Sequence, residues 1–206
     1  ESVRRAGGEP RRAIEYFRER LAIAKEIGDH RGEGIAQGSL GRARVELGEV
    51  AEAIMAHEAA VLIRRYLTDI AGQGEALSSL GRAYDAAGDH ERGAAYHRQG
   101  IDLLRVPGSR QPLAAALVDS AENCVARSEL TEADLCLREA LTLAGDIGAR
   151  RIEGLALYGL GRVAGLQRDI PAARDHLERA LLIFEQLGLP QSEPVRDRLA
   201  EMVMPD

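Results

Sequence analysis

The sequence predicts an all-α solenoid of helix-turn-helix repeats, on three observations. One phrase recurs at a spacing of 40 residues: "SLGRARVELGE" from Ser39, "SLGRAYDAAGD" from Ser79 and "GLGRVAGLQRD" from Gly159. Apolar residues in segments such as "AIMAHEAAVLI" recur at 3 and 4, the helical period, and not at the strand period of 2. Hydrophobic residues make up 45 % of the chain but aromatics only 3 %, with no Trp. The core is therefore built from Ala, Leu, Ile and Val, which suits close helix packing better than a β sandwich.

The repeat defines each element. Gly41 has equivalents at Gly81, Ala121 and Gly161, preceded by Leu40, Leu80, Ser120 and Leu160. Seven residues on come Gly48, Gly88, Ser128 and Arg168, each followed by an acid: Glu49, Asp89, Glu129 and Asp169. Ala53, Gly93, Ala133 and Ala173 share a second small-residue slot, and Ala60, Gly100, Ala140 and Ala180 a third. One step back lie Gly8, Glu9 and Ala13. Each unit reads as a helix A, over about Gly34 to Leu47, a Gly-acid turn, and a helix B, over about Ala51 to Tyr66. Glycine within a helix costs roughly 0.5–1 kcal/mol relative to alanine. Its return at Gly41, Gly81 and Gly161 implies that helices approach closely there, where a side chain would overpack the contact.

The predicted organisation is one array over residues 1–206. A partial repeat at 1–31 is mostly helix B, with a fragment of helix A before Gly8. Repeats follow at 32–71, 72–111, 112–151 and 152–191, and a capping helix at 192–206, about Glu193 to Met204, covers the last apolar edge. Pro194 suits the first turn of that helix. "RVPGSRQP", Arg105 to Pro112, is the one irregular joint, either a tight turn or a flexible point between the halves. The opening "ESVRRAGGEP" suggests a piece of a longer protein.

Charge and composition exclude several classes. The net charge of −6 argues against nucleic acid as the main partner. No apolar run approaches the roughly 20 residues that span a bilayer. Lys25 is the one lysine among 27 basic residues, and Asn123 the one asparagine, a composition that fits a high-GC bacterial gene. Cys124 and Cys136 do not make a disulfide framework, and they fit a reducing cytoplasm as small buried hydrophobes. "GEG" and "GQG" follow no strand, and no Gly-Lys-Ser/Thr occurs, so neither a dinucleotide nor a P-loop site is predicted. His57 and His97 are 40 apart in a slot that reads Leu137 and Leu177 elsewhere, which marks packed histidines and not metal ligands. His30, His90 and His176 read as turn or surface positions. No catalytic constellation stands out, and no metal or cofactor is expected.

The Leu-Gly pair of helix A and the paired small residues of helix B resemble the tetratricopeptide repeat (TPR). The 40-residue unit is similar to the lengthened repeats of Pins-type adaptors and kinesin light chains. "AIEYFRERLAIAKEIGDHRGEGIAQGSLGRA", Ala13 to Ala43, also resembles repeats of ATPase-linked bacterial transcriptional regulators. The resemblance implies a right-handed superhelix with helix A on its concave wall.

It also implies that the slot after Gly41 faces a groove. That slot holds Arg42, Arg82, Glu122 and Arg162. Two readings are open. The arginines bind an acidic or C-terminal segment through charge-assisted bonds, or Glu122 pairs with Arg82 or Arg162 and the rest are solvated. Further groove candidates are Ser78 and Tyr158 one turn earlier, Ser39, Ser79 and Asp119 beside the slot, and Asp85 one turn later. The predicted function is a cytoplasmic, non-enzymatic protein- or peptide-interaction module, the regulatory or sensor arm of a larger bacterial regulator. Its partner is a protein, a peptide or another domain of the same protein, without direct contact to nucleic acid or membrane. The alternatives are a small-ligand or signalling-peptide receptor and an architectural self-association module.

Overall fold

The computed structural model describes residues 8–202. Among these residues the chain forms ten α-helices and no strand. After α1 (Gly8–Glu26) come four helical hairpins. They pair α2 (His30–Glu46) with α3 (Val50–Tyr66), α4 (Ile70–Ala86) with α5 (His90–Leu104), α6 (Arg110–Ala126) with α7 (Leu130–Asp146), and α8 (Arg150–Leu166) with α9 (Ile170–Gln186). Helix α10 (Ser192–Glu201) follows. The helix fragment expected before Gly8, and Met204 at the expected end of the last helix, lie outside the described residues.

The backbone keeps time at half the repeat. Positive φ occurs at Gly28, Gly48, Thr68, Gly88, Gly108, Ser128, Gly148, Arg168 and Gly188, every 20 residues. All but Gly108, which lies three residues past the cap of α5, close a helix. The next residue's N–H then reaches back to a carbonyl of the finished helix, as in Asp29 to Ala24 (2.8 Å), Glu49 to Arg44 (2.9 Å) and Asp69 to Arg64 (3.0 Å). Where that next residue is aspartate, its carboxylate caps the following helix. Asp29, Asp69, Asp89 and Asp169 accept from the N–H of Gly32, Gly72, Arg92 and Ala172.

This capping moves the expected boundaries. Helix A starts at His30, four residues before the Gly34 start expected from sequence, and helix B starts at Val50. Gly32 and Gly34 both lie inside the first turns of α2. A Cβ on Gly32 would make the Asp29 carboxylate shift, and one on Gly34 would stand 3.1 Å from Ile63 Cγ2.

The chain divides into two compact units, Glu1–Val106 and Pro107–Asp206. The division falls inside "RVPGSRQP". Helix α5 has 15 residues where the other hairpin helices have 17, Gly108 takes φ 89°, and Ser109 stands at the cap of α6 without a side-chain bond.

In the first unit, Ile14, Leu40, Ala43 and Ala56 form a core flanked by Phe17, Leu21 and Leu47. α4 and α5 approach closely at Gly100, where a Cβ would lie 2.8 Å from the Gly74 carbonyl oxygen. In the second unit, Leu157, Leu177, Ala180, Ile183 and Phe184 pack around fully buried Val195 of α10.

The recurring Leu-Gly pair has a specific cause. A Cβ on Gly41 would stand 2.5 Å from His57 Nε2, one on Gly81 2.9 Å from His97 Nε2, and one on Gly161 2.7 Å from Leu177 Cγ. The glycine of helix A seats the large side chain at the centre of helix B. That side chain is an imidazole in the first unit and an isobutyl group in the second.

Candidate partner-binding surface

The arginine slot behaves differently in the two units. In the second, α6 and α8 carry Glu122 and Arg162. Arg162 Nη1 donates to both carboxylate oxygens of Glu122, at 2.6 and 2.5 Å. Its guanidinium also lies 5.7 Å from the Tyr158 ring centroid. Tyr158 is half-buried beneath it. The one reversed sign in the row thus neutralises its neighbour one repeat away.

In the first unit, α2 and α4 carry Arg42 and Arg82, both exposed. Arg42 Nη2 donates to Ser39 Oγ at 3.3 Å, a neutral acceptor. Between these helices lies His57 of α3, 1 % exposed, with Nδ1 buried and without a hydrogen-bond partner. Its pKa is pushed down from 6.5 to about 4, first by burial and then by the charges of Arg42 and Arg82. His57 is therefore neutral near pH 7. The charges of Arg42 and Arg82 thus both reach this neutral imidazole.

The remaining candidates divide by burial. Ser39 and Ser78 are buried at 7 and 4 % exposure, and Ser78 Oγ has no hydrogen-bond partner. Ser79 and Asp119 are half-buried. Asp85 is engaged inside the fold: His97 Nε2 donates to its Oδ2 at 2.9 Å and His90 Nδ1 to its Oδ1 at 3.2 Å. This carboxylate ties the last turn of α4 to the start and middle of α5. His90, expected in a turn or at the surface, is half-buried at this junction, and His176 is half-buried on α9.

No motif marks the pairing of Asp85 with His97 in advance. The equivalent of Asp85 in the previous repeat is Val45, so His57 sees arginines where His97 sees a carboxylate. A second unforeseen cluster lies nearby. Tyr84 and Tyr96 stack with centroids 5.3 Å apart, and Arg92 covers Tyr84 at 5.2 Å. Among the described residues no three His, Cys, Asp or Glu side chains converge on a metal-sized site. Cys124 and Cys136 are buried free thiols. Burial, and then the neighbouring Cys124, pushes the Cys136 thiol up to about 11. No described helix is long and apolar enough to cross a membrane.

No protein-family model and no curated protein matches the sequence. Solved structures do match the fold. BtubC (BKLC) from P. vanneervenii aligns with a TM-score of 0.68 at 17 % identity, over 100 % of this chain and 95 % of that one. The TPR-like repeats assigned to a kinesin light chain of Podosopora anserina align at 0.61 and 20 % identity, over 89 and 92 %. PlcR from Bacillus thuringiensis, seen with the peptide PapR7 and DNA, aligns at 0.68 and 11 % identity, over 98 and 74 %. At these identities the likeness speaks to the fold, and the fold of this chain is a TPR-like α-solenoid.

Proposed function

We propose that the chain is a protein-interaction module whose first unit binds an acidic peptide segment at Arg42 and Arg82. One contrast carries this reading. Arg162 is neutralised by Glu122, whereas Arg42 is exposed with its hydrogen bond on the neutral Ser39 hydroxyl, and the charges of Arg42 and Arg82 both reach the neutral His57. A carboxylate arriving between them makes charge-assisted bonds, which are about twice as strong as neutral ones. Asp85, already held by two imidazoles, takes a positioning role in α4 and α5 and leaves the partner contact to the arginines.

The wider reading is that of a regulatory or sensor arm in a larger bacterial regulator, working in the cytoplasm. The fold likeness to PlcR, whose structure holds a peptide and DNA, and the two buried free cysteines support it. The test is fluorescence anisotropy with a labelled Asp/Glu-rich dodecapeptide. Arg82→Glu and Arg42→Glu each weaken binding by at least about tenfold with helicity and melting unchanged, and higher salt weakens it further. Affinity that ignores both substitutions sinks the reading.

A further inference from the structure

Helix α3 turns one side to α2, where Ala56 joins Leu40 and Ala43, His57 meets Gly41 and Ile63 meets Gly34. The opposite side is apolar and exposed. Met55, Leu62 and Tyr66 are 59, 55 and 76 % exposed. They fall at i, i+7 and i+11, one stripe of a helix.

The repeat does not require this stripe. One repeat earlier the same positions read Glu15, Ala22 and Glu26, and one repeat later Ala95, Asp102 and Val106. Nor does the chain cover this register with a neighbouring helix. Leu135 of α7 and Leu182 of α9, at the positions of Met55 and Leu62, are 57 and 56 % exposed. The apolar row of α3 is thus additional to the packing of the solenoid, and it is set between helices that are polar at its level. A small apolar centre with a polar rim is the composition of an interface.

Charge on the edge of the stripe selects the occupant. Glu58 and Arg65 are both exposed and lie on the same flank. Seven residues separate them, about 10 Å along the helix, so they do not pair with each other. An antiparallel two-fold pair sets each flank against the same flank of the copy, so that residue i meets j and j meets i. With the axis at residues 61–62, Glu58 meets Arg65 of the second copy and Arg65 meets its Glu58. The same register puts Leu62 against Leu62 at the axis and lays Tyr66 between Met55 and the small Ala59 of the copy. Apolar and charged positions thus agree on one arrangement. We infer that two copies of this chain associate through α3, antiparallel, with Leu62 at the two-fold axis and Glu58 bonded to Arg65 across it.

Sedimentation equilibrium of the protein alone tests this, over about 1 to 200 µM, the range of a weak to moderate dimer. A monomer–dimer equilibrium is expected. Leu62→Glu weakens it at least about tenfold without changing the circular dichroism, since the side chain is already exposed. Glu58→Arg and Arg65→Glu each weaken it by a similar factor, because each sets like charges against one another at both ends of the pair. The double variant recovers the wild-type affinity. An equimolar mixture of the two single variants forms a heterodimer tighter than either variant forms with itself. Three results overturn the inference. They are a monomer throughout the range; a dimer that ignores Leu62→Glu, which places the contact elsewhere; and a dimer that Leu62→Glu dissociates but that the paired charge reversal does not recover, which rules out the antiparallel register.

Discussion

Arg162 closes on Glu122 across one repeat, with one guanidinium nitrogen 2.6 and 2.5 Å from the two carboxylate oxygens. Their side chains are 25 and 47 % exposed, so water screens the pair. Its contribution to stability belongs in the range of about 0–1 kcal/mol. Glu122→Gln therefore shifts a urea midpoint little. It removes the local counter-charge of Arg162, and binding of an acidic dodecapeptide by the second unit rises at low salt. A variant that unfolds cooperatively at much lower urea would show that the pair is structural instead.

Gly41 and His57 give a sharper test, because two effects of opposite sign compete. Gly41→Ala gains roughly 1 kcal/mol of helix propensity. It also places a methyl 2.5 Å from His57 Nε2 in a filled core, an overpacking of about 1–3 kcal/mol. The clash wins, and Gly41→Ala destabilises. On a His57→Ala background the clash is gone and the same substitution stabilises. The double-mutant cycle thus shows a coupling of about 1–3 kcal/mol. Gly38 and Gly145, helical glycines with nothing within 4 Å of a Cβ, are the controls. Alanine at either stabilises by about 0.5–1 kcal/mol.

The repeat of 40 was legible because glycine, leucine and alanine are conspicuous in a row. The backbone rhythm of 20 was not, because three of its nine positive-φ positions are Thr68, Ser128 and Arg168. No glycine marks those turns. The start of helix A was misplaced for the converse reason. Gly32 and Gly34 carry a turn signal, but Asp29 had already capped the helix. The arginine row was visible, as was the sign change at Glu122. The division of labour between the units was not, because the link from Asp85 to His97 depends on side-chain directions across a hairpin, 12 residues apart.

The non-glycine turn residues yield a prediction of their own. Arg168 holds φ 64° in the slot that Gly48 and Gly88 fill elsewhere. A left-handed conformation costs an ordinary residue roughly 1–2 kcal/mol. Part of that is returned by the lower chain entropy of a non-glycine residue in the unfolded state. Arg168→Gly stabilises by about 0.5–1 kcal/mol in urea melts. A loss of stability would mean that the arginine makes a compensating contact.

Cys124 and Cys136 should be chemically quiet in the folded protein. Both thiols are pushed up, first by burial, Cys136 to about 11. At pH 8 a thiol of that pKa is about one part in a thousand thiolate, the reactive form. Dithionitrobenzoate titrates essentially nothing at pH 8 in native buffer and two thiols in guanidinium. Rapid native labelling of either cysteine would refute the burial argument.

His57 makes stability depend on pH on the acid side. In the unfolded chain its imidazole titrates near the usual 6.5, and in the fold at about 4. Above pH 6.5 both states are neutral, and the group adds no pH dependence. Between 6.5 and 4 the unfolded state binds a proton that the folded state refuses, so stability falls as pH falls. Below about 4 the loss levels off. The full difference is on the order of 3 kcal/mol. His176, also lowered by burial, adds a loss of the same sign. His57→Leu, the residue that fills the equivalent slot over Gly161, removes the His57 part while keeping the volume over Gly41. Urea melts at pH 7.5 and 4.5 measure it: the gap between the two is smaller in the variant than in the wild type. An equal gap would mean that His57 is protonated in the folded state, and that the imidazole reached by the two arginine charges is not neutral.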